Sequence, residues 1–294
     1  MYQAIIADPK NFDETAYLAY NEDVAAAVER GDFISGRDHF DLHPNESRVI
    51  GYKSSGEDGL TTNLPTPDLV LLVNGHRDVI AHAASRRPAA MDVVRLVAAA
   101  GEEFSRFSSV LDFGCGCGRV LAGFEGLFSN GVRLVGCDIN PKLVDFAKRS
   151  FPFAEIYQTE LMPPLPFRPE TFDFIYSSSV FTHMSSVSMQ KWAQELSRII
   201  RGGGVLVVSF HGSMYHQEFS KLIPDLSDVM RSDKHYVHQF PDAAEGENSV
   251  ATLASEQFFA EMFEGFEVLL HRQSAISGPI HFCANQDVLV LRKL

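Results

Sequence analysis

Apolar residues follow two rhythms along this chain, and the change of rhythm divides it. Up to about residue 107 the pattern is helical and broken into short pieces. Asn11–Arg48 carries brief helical patterns punctuated by Asp13, Asn21 and Gly31, residue types that cap helix ends. The next stretch, Ile50–Asp68, is rich in Gly, Ser, Thr and Pro, the composition of a linker or of an arm ordered by contact. Arg86–Gly101 then places Pro88 at a helix start and Gly101 past its end, with Met91, Val94 and Val97 at helical spacing. The expected organisation is a small helical appendage over 1–49, a linker or arm over 50–75, and a larger domain over 76–294 that begins with its own helices.

Beyond Phe107, strand-like runs alternate with helical ones. Ser109–Phe113, Val132–Cys137, Ala154–Gln158, Phe172–Ser177 and Val205–Phe210 read as strands, while helical runs open at Pro141 and cover 188–202. Repeated strand–helix–strand units predict an α/β fold, a doubly wound and mostly parallel sheet with helices on both faces. The last two strand-like runs, Phe266–Ala275 and Gln286–Leu294, are joined by a loop too short for a crossover helix, so they should pair antiparallel. Gly212–Ser255 fits neither period, and its place after a strand makes it the expected lid over the ligand end of the sheet.

Composition narrows the classes. With 45% hydrophobic and 21% charged residues, the 294-residue chain can bury a core and is neither disordered nor fibrous. Its longest aliphatic run, Leu69–Val73, is far below the roughly 20 residues that cross a bilayer. The first ten residues lack a basic region followed by an apolar stretch, so no secretory signal is expected and the location should be cytoplasmic. A net charge of −13 disfavours a surface that tracks phosphates, hence no nucleic-acid partner. Twelve acidic against five basic residues within the first 60 assign much of that charge to the appendage.

Cys115, Cys117 and Cys137 lack the paired spacing of a zinc site and read as reduced core thiols. His39 and His43 stand four apart, but Phe40 occupies the place of a metalloprotease glutamate, so no metal is expected. Phe258, Phe259, Phe263 and Phe266 read as core packing.

The chemistry concentrates in VLDFGCGCGR, Val110–Arg119, where a strand runs into three alternating glycines and then a helix. Glycine permits a sharp turn and a close ligand, and the helix start offers free N–H groups. Asp138 ends the following strand, where a carboxylate can accept hydrogen bonds from both hydroxyls of a ribose. The combination points to a nucleoside-containing cofactor. A dinucleotide is disfavoured because Arg119 stands where the GxGxxG fingerprint has its third glycine.

The segment resembles the first motif of class I, seven-stranded S-adenosylmethionine-dependent methyltransferases, an acidic residue at a strand end followed by GxGxG. The resemblance covers Val110–Leu294 and implies strand order 3-2-1-4-5-7-6 with strand 7 antiparallel. A finer resemblance, to a bacterial group with PPLPF, FD and SVFTH elements, rests on Pro163–Met184, Trp192, Glu195 and Leu196. It implies methyl transfer to small metabolites or glycans. Tyr17–Phe33 looks like a helical module attached to some bacterial glycosyltransferases and methyltransferases, a hint towards sugars.

The family's roles fall on matching positions. Gly114, Cys115, Gly116 and Gly118 would line the methionine part of S-adenosylmethionine, Asp138 would hold its ribose and Ile139 would flank the adenine. Glu160 is the choice for the adenine amine, although Pro163 and Pro164 replace a helix there and could shift that contact by a residue or two. Asp112 would anchor the turn and the cofactor's amino group; as a plain buried acid it would satisfy loop N–H groups instead.

Ser178–His183 should lie beside the transferable methyl, since ligands of open parallel sheets sit at strand carboxyl ends. Methyl transfer from a sulfonium is an in-line displacement that needs no metal. A hydroxyl acceptor must still lose a proton; His183 is the first candidate base and His211 the second. The alternative for His183 is loop orientation or helix capping, and an amine acceptor would need no base. Transfer to a small-molecule or sugar acceptor, at oxygen, is the leading function. A non-catalytic protein of cofactor fold, whose acidic appendage binds a partner enzyme, is the alternative. Nothing in the sequence sets the oligomeric state.

Overall fold

Ser109–Phe113 is buried at every position, as is Phe172–Ser177, which is the burial of strands covered on both faces. These runs form the centre of a computed structural model that describes residues 2–55, 61–128, 131–239, 245–246 and 250–294. The chain divides into two compact units, Met1–Ala84 and Ser85–Leu294.

The first unit contains β1 (Tyr2–Ile6), α1 (Glu14–Tyr20), α2 (Glu22–Glu29), α3 (Gly36–Leu42), β2 (Val49–Ser55), β3 (Thr61–Asn63), α4 (Pro67–Asn74) and α5 (Val79–Ala84). Asp13 caps α1 by accepting from the Ala16 N–H at 2.8 Å, and Asn21 ends that helix. The unit is not purely helical, and the stretch read as a linker over 50–75 carries β2, β3 and α4. β2 lies between β1 and β3 in an antiparallel sheet. Its anchors are sparse, which hid them in a polar composition: Ile50 packs on Tyr17, Val24 and Phe40, and the Tyr52 ring meets Tyr20 at 5.9 Å. The boundary accordingly falls after Ala84, not at residue 75.

The second unit begins with α6 (Arg86–Ala99). β4 (Ser109–Phe113), α7 (Arg119–Gly123), β5 (Arg133–Asp138), α8 (Pro141–Ser150), β6 (Glu155–Gln158), β7 (Phe172–Ser177), α9 (Ser186–Ile199) and β8 (Ile200–Phe210) follow. The sheet order is β6-β5-β4-β7-β8-β12-β11, where β11 is Phe266–Arg272 and β12 is Asp287–Lys293. The first five are parallel; β12 runs antiparallel to both β8 and β11. This is the order 3-2-1-4-5-7-6. β8 starts at Ile200, ahead of the expected Val205, because the strand continues through Gly202–Gly204.

The stretch between β8 and β11 holds α10 (Ser213–Phe219), α11 (Leu226–Asp233), an antiparallel hairpin of β9 (His235–Gln239) and β10 (Val250–Ala254), and α12 (Glu256–Met262). Reading 212–255 as lacking pattern is corrected by these elements, which are five to eight residues long and too short for a period to show. α13 (Ser274–Ser277) precedes β12. No helix among the described residues is long and apolar enough to cross a membrane.

Packing explains several sequence features. Phe258, Phe259 and Phe263 belong to the core with Trp192, whose ring meets Phe113 at 4.8 Å. The Trp192 indole donates to the Leu161 carbonyl at 3.0 Å, and Glu195 accepts from the Leu165 N–H at 2.7 Å. Arg198, paired with Glu195, donates to the Phe167 carbonyl at 2.9 Å, so α9 fixes the proline-rich loop after β6.

α6 crosses α7 so closely that a Cβ on Gly123 would lie 2.1 Å from the Arg86 carbonyl oxygen and 2.8 Å from Ala90 Cβ. Backbone cannot step aside as a side chain can. Gly123→Ala is therefore expected to cost about 3 kcal/mol or more through forced separation of the two helices. An unchanged denaturation midpoint would refute the close approach.

Candidate functional site

The turn after β4 is tied to the end of β5. Gly114 and Cys115 N–H groups both donate to the Cys137 carbonyl, each at 2.9 Å. Asp138, the last residue of β5, accepts from the Gly116 N–H through Oδ2 and from the Asn140 N–H through Oδ1, both at 2.8 Å. Its carboxylate is thus fixed between the glycine turn and the start of α8, with a further lone pair on each oxygen. Burial raises its pKa, while the Asn140, Gly116 and Ile139 amides act in the opposite direction.

Gly114 has φ +77°, and a Cβ there would fall 2.0 Å from Val180 Cγ2. The turn after β4 therefore faces the turn after β7 with room for backbone alone. Gly118 caps the start of α7, and Cys115 and Cys117 are buried behind the turn with thiol pKa values raised by burial.

Asp112 is 2% exposed, and burial pushes its pKa up to about 7 against the opposing pull of Tyr176 and Arg119. At the carboxyl ends of β4 and β7, Asp112 and the Tyr176 hydroxyl are buried against each other, and the buried Ser177 hydroxyl has no hydrogen-bond partner among the described residues. A buried unsatisfied hydroxyl is costly unless something else meets it. The glycine cradle, the fixed Asp138 carboxylate and this buried polar group fit a polar nucleoside cofactor bearing an amino-acid end. Ile139 is 38% exposed beside them, suited to an adenine face, whereas Glu160 is exposed on the strand-end loop.

The turn after β7 carries the acceptor candidates. The Ser178 hydroxyl, read as a cofactor contact, donates its proton to the Phe282 carbonyl at 2.7 Å and keeps its lone pairs to accept from a ligand. Ser179 is left-handed at φ 61°, held by the Ser209 hydroxyl on its N–H (2.8 Å) and by Gln286, whose amide donates to its Oγ at 2.7 Å. His183 Nδ1 lies 2.7 Å from the Val250 carbonyl. A carbonyl can only accept, so the neutral ring carries its proton on Nδ1 and leaves Nε2 as a bare lone pair.

The fold brings both candidate bases together: His183 and His211 meet edge to face with ring centroids 6.2 Å apart. Their environments differ. Burial lowers the His183 pKa below its usual 6.5. His211, 6% exposed and stacked on Tyr215 at 3.9 Å, is lowered to about 3 by burial and by His183. A ring this weakly basic stays neutral near neutral pH and is a poor proton acceptor, which leaves His183 as the stronger base.

A clamp that no local pattern announces borders the glycine turn. Arg119 donates to the His281 and Phe282 carbonyls at 2.7 and 2.8 Å, while Asp92 accepts from the N–H groups of the same two residues at 2.7 and 3.3 Å. The turn before β12 is thereby pinned beside the glycine turn. The arginine in place of a third glycine was the signal. Glu245 and Gly246 were also unremarked: Glu245 accepts from the Ser185 N–H at 2.7 Å, and the Gly246 N–H donates to the His183 carbonyl at 2.9 Å.

Residues 111–208 match the family model described as a methyltransferase domain. The biotin biosynthesis bifunctional protein BioHC of Cellvibrio japonicus is 32% identical over 103 residues, covering 35% of this chain and 20% of that protein. The chain thus spans about a fifth of that relative's length. An S-adenosylmethionine-dependent methyltransferase from Clostridium acetobutylicum superposes with a TM-score of 0.50 at 12% identity, over 71% of this chain and 92% of its own. CalS10, an amino pentose methyltransferase from Micromonospora echinaspora, gives 0.48 at 15% identity over 73% and 95%.

Proposed function

We propose that the methyltransferase domain transfers a methyl group from S-adenosylmethionine to a hydroxyl of a small-molecule or sugar acceptor. The observation that carries this reading is the Asp138 carboxylate, fixed by the Gly116 and Asn140 N–H groups at the mouth of the glycine turn. There it accepts from the ribose hydroxyls, while Gly114, Cys115, Gly116 and Gly118 leave backbone alone against the methionine part. Asp112 meets the amino group, Ile139 covers one adenine face, and Glu160 reaches the adenine amine from the loop. The Ser178 turn bounds the sulfonium side. When bound, the cofactor supplies a methyl carbon made electrophilic by the positive sulfur.

The chain's own residues do the rest. His183 Nε2 accepts the proton of the attacking hydroxyl, its ring oriented by the Val250 carbonyl. His211 lines the acceptor pocket rather than taking that proton. The hairpin of β9 and β10, seated on the His183 turn, covers the acceptor and excludes water.

The segment Pro163–Met184 supports placement within the bacterial group with PPLPF and SVFTH elements. The acidic charge supports an acceptor that is not nucleic acid, and the sequence pattern supports a cytoplasmic location.

Calorimetry with S-adenosylmethionine, S-adenosylhomocysteine and NAD tests the core of this reading. Binding of the two sulfur nucleosides and not of NAD is expected; the reverse sinks it. His183→Ala should lower the release of S-adenosylhomocysteine in the presence of acceptor by about two orders of magnitude, with cofactor affinity nearly unchanged. Because burial depresses the His183 pKa, the wild-type rate should climb with pH through a value below 6.5 and level off before neutrality. A rate that still rises above neutrality would point to another base.

A further inference from the structure

Two neutral imidazoles side by side, one of them incompletely bonded, constrain what the pocket accepts. The Thr252 backbone lies against the His211 ring and acts to raise its pKa, while His211 Nδ1 is buried and has no hydrogen-bond partner among the described residues. The residue is 6% exposed, with its ring stacked on Tyr215 and set edge-on to His183. An unmet buried nitrogen costs free energy that a ligand hydroxyl recovers, whether it donates or accepts. His183 Nε2, bare because Nδ1 is committed to Val250, takes a second hydroxyl. The pair offers no positive charge to a carboxylate or phosphate, and the guanidinium of Arg119 is already occupied by the His281 and Phe282 carbonyls.

We infer that the acceptor pocket recognises a vicinal diol, whose reacting hydroxyl gives its proton to His183 Nε2 while its neighbour is bonded by His211 Nδ1. This rests on the proposed methyl transfer and adds the acceptor's class to it. As the O–CH3 bond forms, the methyl C–S bond of S-adenosylmethionine breaks and S-adenosylhomocysteine leaves; the reacting oxygen's proton goes to His183 Nε2, and the second hydroxyl is unchanged. His211 is then a specificity residue for the acceptor, not a second base. A product ether lacks one donor, so the pocket releases it more readily than the diol.

The test uses the full chain with 15N-labelled histidine, saturated with S-adenosylhomocysteine and observed by long-range proton–nitrogen NMR. Catechol and methyl α-D-mannopyranoside are the two diol probes, aromatic and sugar; phenol, 2-methoxyphenol and salicylate are the controls. At least one diol should shift both His183 Nε2 and His211 Nδ1, and which one does so identifies the source. Phenol and 2-methoxyphenol should bind about tenfold more weakly, the loss of one hydrogen bond, and should leave His211 Nδ1 unmoved. His211→Phe, its fold checked by retained S-adenosylhomocysteine binding, should bring the preferred diol down to the monohydroxy level. The inference is overturned if neither diol moves His211 Nδ1, or if salicylate binds as tightly as the diol. Failure of S-adenosylhomocysteine itself to bind would instead sink the proposed function, which separates the two outcomes.

Discussion

Asp138→Ala is expected to weaken S-adenosylhomocysteine binding by about a hundredfold or more. The carboxylate has two duties that both vanish with it. In the proposed binding mode it accepts from two ribose hydroxyls, and charge-assisted hydrogen bonds contribute about 1.5–3 kcal/mol each. It also ties the Gly116 N–H to the Asn140 N–H, both at 2.8 Å, so its loss frees the glycine turn from the start of α8. Asp138→Asn separates the duties. An amide oxygen still accepts one hydroxyl but cannot serve both backbone donors and both ribose donors, so an intermediate loss is expected. Titration calorimetry on both variants reads the series directly. A loss below tenfold for Asp138→Ala would remove the ribose role, since a single neutral hydrogen bond could account for it.

Gly114→Ala should abolish measurable cofactor binding and lower stability by about 3 kcal/mol. Two independent costs combine. A left-handed backbone costs a residue with a Cβ about 1–2 kcal/mol, and Gly114 sits at φ +77°. The added carbon would also lie 2.0 Å from Val180 Cγ2, which must move with the turn it belongs to. That turn carries Ser178 and His183, so relief of the clash displaces both sides of the crevice. Thermal unfolding together with calorimetry checks the pair of effects; a folded variant with normal affinity would show that the two turns do not face each other across the cofactor.

The parts of the fold that were legible in the sequence are those whose signal is local. β4, β7 and the Val205–Phe210 part of β8 are buried at every position, and burial on both faces shows as mainly apolar runs. The glycine turn and Asp138 were legible because their spacing follows one strand, one turn and one helix. β2 was not, since its few apolar residues work through partners such as Tyr20 and Phe40 that lie far off in sequence. Short elements such as β9 and α10 carry too few residues for a period to emerge. His183 and His211 could each be singled out, but their difference in basicity comes from burial and mutual contact. The Ser179–Gln286 and Arg119–Phe282 bonds join positions 107 and 163 apart, and no local pattern announces such pairs.

The clamp formed by Arg119, Asp92 and the His281–Phe282 turn spans 162 to 190 positions of chain. Such remote pairings close after local helices and neighbouring strands have assembled, because the entropy of the intervening loop must be overcome first. The clamp is therefore expected to close after the glycine turn and the end of β5 have met, so a ligand held against the clamped turn would favour the fully closed topology and shield it from proteolysis.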